Sequence, residues 1–285
     1  MSEKNNGYAN PKALVDTQWA ADHGQDPNHR LIEVDVTPAN YAKGHLPGAV
    51  GWDWRRDLQD PQQRDIASAE DLAAKLGQSG VTPDTTILLY GDNNNWFAAY
   101  ALWALQYYGH DSSKLKLVDG GRVKWEAEGR PYVTEEPKVQ PTTYRFPAQP
   151  KEELRAYRDD VLKSIGQVGL VDVRSPGEYS GQLLAPENLP QEGAQRGGHI
   201  PTAINVPWAS VVKEDGSFKS AEELRQIYGG KGIKPEQEVI AYCRIGERSA
   251  HSWFVLSELL GYPSVRNYDG SWTEWGSSIR VPIEK

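Results

Sequence analysis

The sequence predicts an α/β protein built as two tandem copies of one domain, each a mostly parallel sheet flanked by helices. Two observations carry this expectation. The first is an internal repeat. Ser68-Ala69-Glu70-Asp71 returns as Ser220-Ala221-Glu222-Glu223, and the same spacing carries Pro83 onto Pro235, Tyr90 onto Tyr242 and Gly109 onto Gly261. Asp119-Gly120 likewise matches Asp269-Gly270, Trp125 matches Trp275, Gly44-His45 matches Gly198-His199, and Val34-Asp35-Val36 matches Val171-Asp172-Val173. Matches that keep their order over most of each half indicate a duplicated domain. The second observation is the alternation of short β-branched runs with helical patterns in both halves, the signature of strand–helix–strand units and a parallel sheet.

In chain order, the first half offers strands at Leu31–Val36, Thr86–Tyr90 and Leu115–Val118. Its helical patterns are Ser68–Gly77 and Trp96–Tyr108. The second half offers strands at Gly169–Val173 and Glu238–Tyr242, with helices over Ala221–Tyr228 and Ser249–Leu260. Ser68 and Ser220, each with an acidic residue three positions on, read as helix N-caps. Pro131 to Lys151 contains five prolines and few apolar clusters, which marks a joint. The expected domains are therefore residues 1–131 and 152–285, with 132–151 as linker. A longer loop in the second half, roughly Gln182 to Arg196, accounts for its shifted spacing.

Composition narrows the function classes. A formal net charge of −8 argues against general attraction to nucleic acid or anionic membrane. No run approaches the roughly 18 consecutive apolar residues of a membrane span. The polar start, MSEKNNGYANPK, has no apolar core and cleavage site, so a cytoplasmic location is expected. A single cysteine forbids an internal disulfide and argues against a cysteine-based metal site. The oligomeric state is not legible in composition.

The lone Cys243 follows the strand ending at Tyr242 and precedes a helix, where open α/β sheets place their ligands. Its loop reads Cys243-Arg244-Ile245-Gly246-Glu247-Arg248-Ser249, whereas the first half has Gly91-Asp92-Asn93-Asn94-Asn95-Trp96. Such a loop can curl so that its backbone N–H groups form an anion-binding nest, reinforced by the positive end of the helix. A thiolate is the reactive form of cysteine, and a free thiol is only slightly ionised at neutral pH. Amides, helix dipole and two arginines favour the thiolate and burial opposes it. The electropositive contributions are expected to win, giving a thiol pKa below about 8.5.

CRIGERS at 243–249 resembles the active-site loop of thiosulfate sulfurtransferases of the rhodanese family. VDVRSPGEY at 171–179, GHIPTAINVPW at 198–208 and DGSWTEW at 269–275 are similar to other motifs of that family. LVDTQW at 14–19 and GHLPGAV at 44–50 resemble its non-catalytic repeat. The resemblance covers essentially the whole chain and implies two rhodanese-like domains, the second catalytic. It also implies that Cys243 takes the outer sulfur of thiosulfate as a persulfide, releases sulfite, and yields that sulfur to cyanide or a cellular thiol, with no metal or organic cofactor required. Among the candidate substrate-binding residues, Arg248 is first, because a guanidinium fork suits a sulfonate. Arg244 could contact substrate or point to solvent. Arg174 could bind substrate or pair with Glu178 to brace the loop. Some family members carry a substrate-binding arginine where this chain has Glu178, a departure that bears on the anion pocket.

His45 and His199 recur in both halves, including the one without cysteine, so a shared structural role is expected. Asn93–Asn95 are expected to shape a turn, and Trp103, Trp125, Trp253 and Trp275 to pack. A 3-mercaptopyruvate sulfurtransferase is the alternative within the family, disfavoured by the charged loop. Phosphatases and arsenate reductases space Cys and Arg by five residues, and here only four intervene. A non-enzymatic sulfur carrier remains the alternative from another class.

Overall fold

The computed structural model describes residues 6–147, 149–186 and 193–285. Residues 187–192, within the expected longer loop, and Ala148, in the expected linker, lie outside the described residues. The chain forms two compact units. One comprises Lys12–Lys151 together with Glu214–Phe218, and the other Met1–Pro11, Glu152–Lys213 and Lys219–Lys285.

The first unit holds a five-stranded parallel sheet of β1 (Leu14–Val15), β2 (His29–Asp35), β3 (Val50–Asp53), β4 (Thr86–Gly91) and β5 (Leu115–Val118), in the order β1-β5-β4-β2-β3. The second holds β6 (Gly169–Asp172), β7 (Ile204–Asn205), β8 (Val239–Tyr242) and β9 (Val265–Tyr268), also parallel, in the order β7-β6-β8-β9. The counterpart of β1 shrinks there to one parallel bridge, Arg155 to Asn267. Every residue of β6 and β8 is buried, which explains why neither alternates apolar with polar residues. A parallel sheet covered on both faces has no solvent side to alternate with.

Strand order positions the site. The chain runs from β6 outward to β7, then returns to the other side of β6 to form β8. The crevice at the carboxyl ends of β6 and β8 is thus the switch point of the sheet. Arg174 follows one of these strands and Cys243 the other.

Local chemistry agrees with the expected helix starts. Ser68 caps Ala69–Gln78, accepting from Asp71 N at 3.1 Å. Ser220 and Glu223 form a reciprocal capping box on Ala221–Gly230. The helix expected over Ser249–Leu260 begins at Glu247, is regular to Phe254, and widens into a π turn over Val255–Leu259. The helix of Asp92–Tyr107 becomes right-handed only from Trp96, because Asn93, Asn94 and Asn95 have φ of 48°, 55° and 63°. Asn95 fixes that turn by accepting from Gly91 N at 3.0 Å and donating to Val118 O at 2.7 Å. Trp103, Trp125, Trp253 and Trp275 are all buried.

Each unit includes a short piece of distant sequence. Ala9 N donates to Leu259 O at 2.8 Å and Asn10 N to Glu258 O at 3.0 Å, within the second unit. Within the first, Phe218 N donates to Asp119 Oδ1 at 2.9 Å, and Lys124 pairs with Asp215 at 3.2 Å.

Candidate active site

Cys243 leaves β8 and is fully buried. Its backbone N donates to Ser271 Oγ at 3.0 Å, and its carbonyl accepts from Trp272 N at 3.0 Å, so DGSWTEW anchors the start of the loop. Gly246 then turns the chain inward. Its φ of 102° lies in the region that favours glycine, and an added Cβ would lie 2.9 Å from the Asp269 backbone. This turn aims Gly246 N at Cys243 Sγ, 3.2 Å away. Ser249 Oγ lies 3.6 Å from the sulfur and is itself held by Asn267 Oδ1 at 2.6 Å. The expected curl of the loop around the sulfur is present.

The electrostatics differ from the expectation. Cys243 Sγ is 3.2 Å from Glu247 Oε2, with the thiol donating to the carboxylate. Burial, reinforced by the Glu247 charge, pushes the thiol above its ordinary value, and the opposing pulls of Arg248 and Ser249 do not overcome it. The expected depression below about 8.5 is therefore corrected: at neutral pH the resting residue is a thiol.

The arginines are also placed differently. Arg248 grips Glu178 with both terminal nitrogens, at 2.9 and 3.0 Å, and its Nε lies 3.6 Å from Glu247 Oε1. A fork assigned from sequence to a substrate sulfonate is occupied by a carboxylate of the protein. Burial alone would raise the Glu178 carboxyl, but the Arg248 fork holds it down to about 2. Arg244 is buried rather than turned to solvent, and its carbonyl accepts from Thr273 N at 3.0 Å. Arg174 pairs with Asp172 and not with Glu178. Its Nη2 also donates to Gly198 O at 2.7 Å, and its guanidinium lies over Trp272, 4.5 Å from the ring centroid.

The first unit explains Arg174. There Arg122 Nη1 donates to Gly44 O at 2.7 Å, the matching glycine, while also pairing with Glu33. Arg122 follows β5 whereas Arg174 follows β6, yet each guanidinium holds the carbonyl of the Gly-His pair. The unit without a cysteine makes this contact too. The histidines behave alike as well. His45 stacks on Tyr41 at 3.9 Å and His199 on Tyr179 at 3.7 Å, each Nδ1 meeting its tyrosine's backbone oxygen. Sequence reasoning missed Glu178 as the partner of Arg248, and Ser271 and Asn267 as supports. The only available signal was their place in the motifs.

In the first unit Gly91 stands in the position of Cys243, and a Cβ there would lie 2.0 Å from Val34 O. That position is closed to a side chain. A cavity of about 300 Å³ elsewhere in this unit is lined by Tyr41, Trp52, Arg56 and Lys75 among others, with no cysteine in its lining. Among the described residues no acidic, histidine or cysteine cluster could hold a metal ion, and no helix is long and apolar enough to cross a membrane.

The rhodanese-like domain model matches residues 16–128 and again 155–278. The chain belongs to the rhodanese-like family. The match falls once in each repeat, so this is a two-repeat rhodanese-like protein. It is 53% identical over 284 residues to sulfur carrier protein TtuD of Thermus thermophilus, covering 98% of this chain and 99% of that one. It is also 53% identical to a protein of Saccharopolyspora erythraea that carries thiosulfate sulfurtransferase as a provisional name, covering 96% of each chain. An anaerobic ergothioneine biosynthesis enzyme from Chlorobium limicola has a similar solved structure, with TM-score 0.85 and 23% identity, covering 98% of this chain and 71% of that one. This last likeness speaks to the rhodanese-like fold alone.

Proposed function

We propose that this rhodanese-like chain is a sulfurtransferase that carries sulfane sulfur on Cys243, with thiosulfate as donor and cyanide or a cellular thiol as acceptor. The observation that carries the reading is the sole cysteine, held at a switch point with Gly246 N at 3.2 Å and the Ser249 hydroxyl at 3.6 Å from its sulfur. Cys243 attacks the outer sulfur of thiosulfate, the S–S bond breaks, and sulfite leaves with the electron pair. The persulfide anion then lies among donors suited to negative charge, beside the Arg248 guanidinium. Attack by the acceptor on the terminal sulfur regenerates Cys243. The provisional name of the Saccharopolyspora relative supports thiosulfate as donor. No cofactor enters these steps.

Intact-mass measurement tests this directly. The purified protein should gain one sulfur on treatment with thiosulfate and lose it to cyanide, while Cys243→Ser should do neither and keep its fold. Thiocyanate formation above background by Cys243→Ser would overturn the assignment.

A second reading, a sulfur carrier that hands its persulfide to another protein, is favoured by the occupied fork of Arg248 and by the name of the Thermus relative. Thiosulfate is a dianion, and two carboxylates offset much of the positive charge of this loop. Many thiocyanates formed per chain support the enzyme. A persulfide that loads readily but turns over with cyanide only slowly supports the carrier.

A further inference from the structure

We propose that Glu247 is a catalytic residue, the base that takes the Cys243 thiol proton as sulfur is loaded and returns it as sulfur is unloaded. The inference rests on the sulfurtransferase reading and adds a proton path to it.

The geometry carries the argument. Glu247 Oε2 lies 3.2 Å from Sγ, and the thiol is the donor of that contact. Both side chains are buried, so water does not solvate the proton between them. Glu247 is the first residue of its helix, behind the left-handed Gly246, and its other oxygen lies 3.6 Å from Arg248 Nε. Arg248 is in turn fixed by Glu178, which belongs to the helix following β6. The carboxylate is thus aimed at the sulfur from one side while a guanidinium steadies it from the other. Burial raises the thiol above its ordinary value, so a resting thiol needs a partner to lose its proton at neutral pH.

The steps balance. In loading, Cys243–SH, thiosulfate and the Glu247 carboxylate become the Cys243 persulfide anion, sulfite and the Glu247 carboxylic acid. In unloading with cyanide, the persulfide anion, cyanide and the carboxylic acid become Cys243–SH, thiocyanate and the carboxylate. The proton never leaves the site, and the persulfide is made without adding charge to a buried carboxylate pair.

The alternative is that Glu247 acts only as a negative charge that raises the thiol pKa. The two accounts differ in sign. A charge that hinders ionisation should, when removed in Glu247→Gln, make the thiol more acidic and sulfur loading faster at pH 7. A base should, when removed, make loading slower. General-base assistance is typically worth about 10²–10⁴-fold, so the expected loss in kcat/KM for thiosulfate is on the order of 100-fold.

The pH profile is the second readout and needs no variant. The charged groups around the thiol are Glu247 and Arg248 on the helix that follows its loop, with Glu178 behind Arg248 and the Arg155–Asp269 pair beside Gly246. With Glu247 as base, wild-type kcat/KM is level through neutral pH. In Glu247→Gln it rises tenfold per pH unit, because hydroxide must then remove the proton. A wild-type profile that itself climbs tenfold per unit through neutral pH would overturn the proposal, whether or not the variant folds. So would a Glu247→Gln protein as fast as wild type. If the wild type takes no sulfur from thiosulfate, the function reading fails and Glu247 is judged by alkylation of Cys243 with neutral iodoacetamide. Slower alkylation of Glu247→Gln at pH 7 then upholds the base, and equal or faster alkylation refutes it.

Discussion

Replacing Glu178 with Gln removes one charge from a buried pair while leaving a side chain of the same size in the capping box. The Glu178 carboxyl falls from 4.5 to about 2 in the folded protein, the cost of burial being overcome by the Arg248 fork. A depression of that size corresponds to about 3 kcal/mol of stability at neutral pH, at about 1.4 kcal/mol per unit. Its side chain is 1% exposed, so solvent screening does not shrink the figure. Breaking a buried pair by removing one partner costs about 3–5 kcal/mol, which agrees with it. Because the folded value lies below the unfolded one, this stability is fully present above about pH 4.5 and is lost as pH falls toward 2. The deficit of Glu178→Gln should then be about 3 kcal/mol at pH 7 and only about 1 kcal/mol at pH 3. Two units need not unfold together, so a single denaturation midpoint is a poor measure. Amide hydrogen exchange over residues 247–254, corrected for the intrinsic rate at each pH, reads the unit that holds the pair. Equal protection of the two proteins at pH 7, or a deficit unchanged at pH 3, would refute the reasoning.

Arg248→Ala should reduce kcat/KM by similar factors for thiosulfate and for a neutral sulfur donor, because its fork is occupied by Glu178 rather than by substrate. A loss confined to thiosulfate would return Arg248 to the substrate site. Installing Gly91→Cys in the Cys243→Ser background should give no persulfide by intact mass, since the new Cβ meets Val34 O at 2.0 Å. Relieving that overlap should also cost about 1–3 kcal/mol in first-unit amide protection, and an unchanged protection pattern would contradict the closed loop.

The fold was legible because its signals are local and repeated. β5 spans the expected Leu115–Val118, and the helix caps fall on Ser68 and Ser220. β1 and β7 were not read because two residues each carry no periodicity. At the site, the curl of the loop from Cys243 to Ser249 was legible, since neighbours in sequence set it. The partners of the arginines were not. Arg248 finds Glu178 across 70 positions and Arg174 finds Asp172 beside it, and charge alone cannot choose between such pairings. The direction of the thiol shift failed for a related reason. Counting arginines near a cysteine overlooks that Glu178 offsets one of them and that Glu247 faces the sulfur.

The membership of the two units bears on how the protein is made. Ribosomes release the chain in the N-to-C direction, so Asn6–Pro11 emerges long before Glu258 and Leu259, whose carbonyls accept from Asn10 N and Ala9 N. The unit containing β1 to β5 likewise waits for Glu214–Phe218, translated after β6 and β7. Neither unit is therefore continuous in sequence, and each takes one segment from the far side of the joint. A gene cut at the proline-rich joint would deliver two fragments that each lack a strap encoded on the other side.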